Sequence, residues 1–315
     1  VLDQEAHERA RKGKGIWFGL AAVAIWTGFI LVSRAGALSG MEMTEVVAVR
    51  FGTASIILLP YIWKYRKQWF QPRIFVLGSI GGLAYALAVY AGFERAPASH
   101  AALLLPGLMP VVIAILAGLV LQESRSVGMW AGVAVSTLGI LVLVFESLVV
   151  GREYLIGDML FVLACLCWGS YTVLLRCWKL QPWSATVSVV AVSSILYLPV
   201  YLFWLPKGIM VVSWQTVAVQ AIYQGILATI VQMVLYVRAV QSIGATRMGA
   251  LMALIPVSTG LLAVPLFGEA ISLGAMLGMT LGGLGAMVMI VSGCSKPGWY
   301  YRLGRRLRFL SLPES

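Results

Sequence analysis

The chain has 315 residues, 60% of them hydrophobic and only 11% charged, with a mean hydropathy of +0.91 and a formal net charge of +11. Soluble domains carry about a quarter charged residues, and a water-soluble core cannot absorb so much apolar side chain. The basic excess does not mark a nucleic-acid binder, whose cations gather on one face or stripe, because here the cations sit between apolar runs that are too long and continuous for an outer-membrane barrel.

In chain order, the first fifteen residues hold Arg9, Arg11, Lys12 and Lys14, but also Asp3, Glu5 and Glu8. No small-residue cleavage site closes the first apolar run, so that run is read as a retained helix and not as a signal peptide. Apolar runs bounded by charge or by Gly/Pro give ten spans: 16–36, 44–63, 73–93, 98–121, 127–146, 155–176, 185–204, 215–238, 246–268 and 273–293. The fold class expected is all-α, a polytopic membrane protein.

Trp26 falls toward the middle of the first span, away from the interfacial belt where Trp gathers. It either walls a cavity or packs against Gly28. Arg50 is the one basic residue well inside a span, and a lone guanidinium in hydrocarbon costs several kcal/mol, on the order of 3, without a partner. Two roles are open for it: a structural anchor near Glu45, or a group that meets a solute carboxylate or a gate. Tyr85 and Tyr90 stand five apart in the third span, nearly on one face, with Gly81, Gly82 and Gly92 thinning the helix around them. Glu94, Arg95 and His100 share the following loop, where His100 is either a proton-sensitive element or a helix cap. Pro106 and Pro110 interrupt the fourth span, and Glu123 ends it at a place suited to bind the next helix's free amide protons, in a structural or gating role.

Trp168, with Tyr171 close by, repeats the mid-depth Trp in the sixth span. Gln224 and Gln232, eight apart in the eighth span, share a face flanked by Tyr223 and Tyr236. Amides there can orient an amino or carboxylate group without a buried charge, or bond neighbouring helices at about 0.6 kcal/mol each. Pro256 and Glu269 mark the ninth span as Pro110 and Glu123 mark the fourth. Cys165, Cys167, Cys177 and Cys294 have no metal-type pairing with His and read as reduced packing residues. The C-terminal run Trp299 to Phe309, with Arg302, Arg305, Arg306 and Arg308, reads as an aromatic-cationic anchor on anionic headgroups.

Placing the N-terminus inside puts eighteen of the twenty-three Lys and Arg in cytoplasmic segments, four (Arg34, Arg95, Arg152 and Lys207) outside, and Arg50 within a span. The positive-inside rule therefore predicts ten spans with both ends cytoplasmic, in a bacterial-type inner membrane. An internal duplication supports the count. Tyr90, Pro110, Glu123, Gly128, Gly132 and Gly139 recur 146 residues later as Tyr236, Pro256, Glu269, Gly274, Gly278 and Gly285, and Trp26 and Arg34 answer to Trp168 and Arg176 at an offset of 142. Five spans per copy is an odd number, so the second copy enters from the opposite side. The division expected is an N-tail at 1–15, a first repeat at 16–146, an external linker at 147–154, a second repeat at 155–293 and a C-tail at 294–315.

The segment Ala24-Ile25-Trp26-Thr27-Gly28, its echo Cys167-Trp168-Gly169-Ser170, Arg50-Phe51, the stretch from Ala98 to Pro110, and the Glu123 and Glu269 segments running into their glycines together resemble the EamA-type exporters of the drug/metabolite transporter superfamily, over about 16–293. The resemblance implies a ten-helix carrier and an export direction. Inverted repeats around one midplane site give outward and inward states of similar energy. The inventory, aromatic and amide-rich, is expected to take a neutral, zwitterionic or amphipathic solute such as an amino acid or aromatic metabolite at Trp26, Tyr85, Tyr90, Trp168, Tyr171, Gln224, Gln232 and Tyr236. A vitamin or quaternary amine is the alternative, and a channel, a scramblase or a membrane-embedded enzyme the reading from other classes. No HExxH, GxSxG or P-loop pattern is present. The expected partners are the solute and the lipid bilayer, with no nucleic acid, no metal and no cofactor; a monomer fits the sequence.

Overall fold

The computed structural model describes residues 2–69, 71–95, 98–121, 126–150, 155–209, 212–252, 254–267 and 273–292. Among these the chain forms ten helical rods: α1 (Leu2–Leu38), α2 (Met43–Lys64), α3 (Pro72–Phe93), α4 (Ala98–Leu121), α5 (Val127–Val150), α6 (Leu155–Cys177), α7 (Pro182–Trp204), α8 (Trp214–Ile243), α9 (Ala245–Met252 and Leu254–Phe267) and α10 (Leu273–Ser292). Eight of the rods contain stretches long and apolar enough to cross a membrane, and shorter apolar stretches, Val127–Val142 in α5 and Met276–Met289 in α10, complete the ten.

The outer surface is that of a protein solvated by lipid. Ile56, Leu119, Phe145, Phe203 and Val291 are all more than two-thirds exposed, while Thr172, Thr186, Ser193, Gln224 and Gln232 are fully buried. With hydrocarbon outside, apolar burial gives little drive to helix association, so the rods hold together by close backbone approach and internal hydrogen bonds. The first helix differs from the sequence expectation: it is helical from Leu2, so the expected N-tail continues α1 instead of leading into it. The glycine-poor stretch Leu2 to Lys12 is rich in Glu, Ala, Arg and Lys, all strong helix formers.

The crossing of α5 and α10 displays the inversion directly. A Cβ on Gly132 would stand 2.7 Å from the Gly285 carbonyl oxygen, and one on Gly139 would stand 2.7 Å from the Gly278 carbonyl oxygen. Gly132 and Gly139 are the residues that correspond to Gly278 and Gly285, so exchanging the repeats turns one of these contacts into the other. Between them Ser136 Oγ donates to the carbonyl of its own counterpart, Gly282, at 3.4 Å, and Ser126 Oγ donates to Ser292 O at 3.3 Å. Rising numbers in α5 meet falling numbers in α10. The helices are therefore antiparallel, and the two-fold relation lies across them, at Ser136 and Gly282.

The remaining packing obeys the same exchange. Helix α4 packs on α6 as α9 packs on α1, α2 packs on α8 as α7 packs on α3, and α1 against α8 mirrors α6 against α3. Gly139→Leu is expected to destabilise the protein by about 1–3 kcal/mol or more, because the new side chain meets backbone that cannot yield. Gly282→Ala, whose Cβ meets nothing within 4 Å, is the control that keeps its melting temperature. Thermal unfolding in detergent compares the two.

Candidate functional site

The two mid-depth tryptophans meet. Trp26 on α1 and Trp168 on α6, equivalent in the two repeats, have ring centroids 5.0 Å apart, so the site sits where the repeats face each other. Trp168 is the hub of a cluster: Tyr85 stands 4.9 Å away, Tyr236 5.1 Å and Tyr171 5.3 Å, and Tyr85 stacks on Trp26 at 6.3 Å. All five rings are at most 5% exposed. Small residues let them approach. A Cβ on Gly81 would collide with the Tyr171 ring, and one on Gly28 with the ring of Tyr223, whose hydroxyl donates to Ile25 O at 3.0 Å.

A second group lies beside the first. Tyr90 packs edge-on against Phe29 and donates its hydroxyl to Gln224 Oε1 at 3.5 Å, and Gln224 Nε2 donates to Ser33 Oγ at 2.9 Å. The guanidinium of Arg50, 6% exposed, stands 5.5 Å from the Phe29 ring and 5.9 Å from the Phe51 ring, on the Tyr90 side of the site. Glu45, five residues earlier on α2, is fully buried as well. The Nε of Arg50 has no hydrogen-bond partner. Aromatic faces supply cation–π attraction of about 2 kcal/mol to a desolvated cation, which holds the charge while leaving an N–H uncommitted.

Other buried polar groups also lack partners. Gln232, one helical turn before Tyr236, is fully buried and neither Nε2 nor Oε1 has a partner; Tyr171 OH and Trp168 Nε1 have none either. The Tyr236 hydroxyl is engaged with Thr172 Oγ1, which in turn donates to Trp168 O at 2.8 Å. Buried polar groups are nearly always bonded, and among the described residues Arg50, Trp168, Tyr171 and Gln232 each keep a buried polar atom without a partner.

One cause of this geometry was invisible in the sequence. Both third helices of the repeats are wound as π-helix over matching stretches, Ser79–Ala84 in α3 and Ala221–Val231 in α8. The wider turn re-aims the residues that follow, and π segments are frequent at functional sites. Two expectations are corrected. Tyr85 and Tyr90 do not act from one face: both lie in the regular α-helix past the π segment, where five residues turn the chain by about 140° beyond a full turn, so Tyr85 joins the tryptophans and Tyr90 joins Phe29 and Gln224. Gln224 and Gln232, eight apart through the π segment, meet different surroundings, the first bonded and the second not. Pro256 is buried in α9, beside Ser258, which shares a 2.6 Å hydrogen bond with Thr27 of α1. Glu123 and Glu269 lie outside the described residues, as do the side chains of His100 and Pro110. Of the cysteines, Cys165, Cys167 and Cys177 are free thiols; Cys165 is buried with Sγ 3.2 Å from Leu105 O, and Cys294 is outside the described residues.

Two inverted helical repeats meeting on matched tryptophans agree with what the sequence matches: the EamA-like transporter family, over residues 13–145 and again over 155–291. The chain belongs to that family. The "Uncharacterized transporter YyaM" of Bacillus subtilis (strain 168) is 24% identical over 267 residues, covering 79% of this chain and 85% of the relative. A solved crystal structure of another protein shares the fold, with a TM-score of 0.68 at 18% identity over 88% of this chain and 97% of that one. This EamA-family protein is thus an integral membrane transporter. Each family match carries one of the π-wound helices and one of the paired tryptophans.

Proposed function

We propose that the protein is an alternating-access carrier that exports a small neutral, zwitterionic or amphipathic organic solute, an amino acid or an aromatic metabolite, from the cytoplasm across a bacterial-type inner membrane, with both chain ends cytoplasmic. The observation that carries this reading is Gln232: a fully buried amide with donor and acceptor both unpaired, one helical turn before Tyr236 of the aromatic cluster. An amide can accept from an ammonium or donate to a carboxylate, and the rings of Trp26, Tyr85 and Trp168 offer flat faces to an apolar side chain.

The rings now pack on one another, so a solute enters only when they part; the related energies of two inverted halves supply the two open states. Among the described residues Arg50 is the cation placed at the site's flank, too little charge to match a nucleotide or sugar phosphate. A quaternary amine is the second reading, favoured by the four rings grouped around Trp168.

The test is a proteoliposome panel of labelled amino acids, aromatic metabolites and choline, with and without a pH gradient. Saturable movement of an amino acid or aromatic metabolite supports the reading, and movement of phosphorylated sugars or nucleotides alone overturns it. Arg50→Met sorts the two solute classes. It is expected to reduce flux of carboxylate-bearing solutes at least about tenfold, the worth of a charge-assisted hydrogen bond, while sparing choline; equal loss of both would assign Arg50 to packing.

A further inference from the structure

A cavity lies away from the aromatic cluster, between the turn that joins α2 to α3 and the turn that joins α6 to α7. Its volume is about 280 Å³, and its walls include Tyr65, Gln68, Trp69, Gln181, Trp183 and Ser188. Trp69 is 4% exposed, and its indole N–H has no hydrogen-bond partner. An indole nitrogen only donates. A buried unpaired donor on a cavity wall calls for an acceptor inside that cavity. Ser188 Oγ donates its own proton to Ala185 O at 2.8 Å, and the side-chain amides of Gln68 and Gln181 can donate as well.

Charge narrows the identity of that acceptor. The two turns carry Lys64, Arg66, Lys67, Arg73 and Lys179, and no acidic residue occurs in 63–73 or 177–184. Lys64 Nζ stands 5.5 Å from the ring of Tyr65, itself a wall of the cavity, and Arg66 stands 4.9 Å from the ring of Trp63. The surroundings are those of a bilayer interface: Trp63 is exposed on the outer surface, Tyr61 meets Trp183 edge-on at 4.9 Å, and Ile57 and Leu59, one to two turns deeper on α2, face the lipid. Trp and Tyr gather at headgroup depth, and clustered cations there attract anionic lipid.

We propose that this cavity is a binding site for a phosphate ester presented by the headgroup of an anionic phospholipid, with the Trp69 indole N–H donating to a phosphate oxygen, Gln68 and Gln181 closing around it, and the cations of the two turns drawing it in. The site is separate from the solute site and stands whether or not the transport reading does. Because the cavity joins a turn of one repeat to a turn of the other, an occupant ties the halves together at that end.

The test uses the purified full chain in detergent, titrated with phosphatidylglycerol, phosphatidylcholine, or the soluble glycerophosphoglycerol headgroup, with native mass spectrometry and thermal shift as readouts. The expected result is saturable binding of phosphatidylglycerol that raises the melting temperature, no comparable effect of phosphatidylcholine, and none of the soluble headgroup. Trp69→Phe keeps the ring and removes the N–H, and is expected to weaken phosphatidylglycerol binding at least about fivefold. Equal binding of phosphatidylcholine, or less than fivefold loss in W69F, overturns the proposal; tight binding of the soluble headgroup overturns the lipid as its source. If W69F does not fold, the exposed pair Lys64→Gln and Lys67→Gln carries the test, and unchanged lipid affinity in that double variant overturns it.

Discussion

Gln232→Met is expected to raise the stability of the solute-free protein while lowering solute flux at least about tenfold. The side chains are close in volume, so packing around Met233 and Tyr236 is kept. What changes is the amide. Burying a polar group without a partner costs about 1–3 kcal/mol, and Gln232 leaves both ends unpaired at zero exposure, so a thioether in its place removes that cost. A purely structural glutamine behaves in the opposite way: its loss would lower the melting temperature and leave flux alone. Thermal unfolding in detergent and uptake into proteoliposomes, measured on one preparation, separate the two outcomes. Gln224→Met provides the contrast, because it breaks the bonds to Ser33 and Tyr90 and is expected to destabilise.

Trp168→Ala carries the other large effect. Four rings touch this one side chain within 5.3 Å, and truncating a buried Trp costs about 3–5 kcal/mol through lost contacts and the cavity left behind. That loss alone would say nothing about transport. Trp168→Phe therefore accompanies it: most of the ring contact survives, the indole N–H goes, and the protein is expected to fold with flux reduced at least about tenfold. Normal flux in folded W168F would make Trp168 a packing hub only. The partner Trp26, stacked on Tyr85, is expected to show the milder loss in both respects, having fewer ring neighbours.

Most of the architecture was legible because lipid imposes simple rules. Apolar run length marks a span, and the offset that relates Gly132 and Gly139 to Gly278 and Gly285 carried the inversion, since a glycine kept at matching places is what a backbone-to-backbone crossing needs. Trp26 and Trp168 stood out by depth, and they do meet. What the sequence hid depends on cumulative geometry. A π-turn has no distinctive residue; Ala221–Val231 reads like any small, apolar helical stretch, yet it separates the surroundings of Gln224 from those of Gln232. Face assignments that assume 3.6 residues per turn fail across such a segment. Likewise nothing in the spacing of Gln224 and Gln232 says which amide finds a partner, because Ser33 and Tyr90 come from distant helices. Trp69 went unnoticed for a related reason: a Trp in a polar turn looks interfacial, and its burial arises only from packing with Leu58 of α2 and with Val187, Val190 and Ala191 of α7.

In the proposed mechanism the rings of two inverted repeats close over one solute site that opens to either side in turn. Counterflow separates such a carrier from a pore. Proteoliposomes loaded with unlabelled solute at high concentration and diluted into trace label are predicted to accumulate label transiently above equilibrium, because a returning site exchanges faster when loaded than when empty, and Gln232→Met is predicted to lose the overshoot. Flux that rises linearly with concentration, with no overshoot in the unmodified protein, would contradict the account and describe a pore.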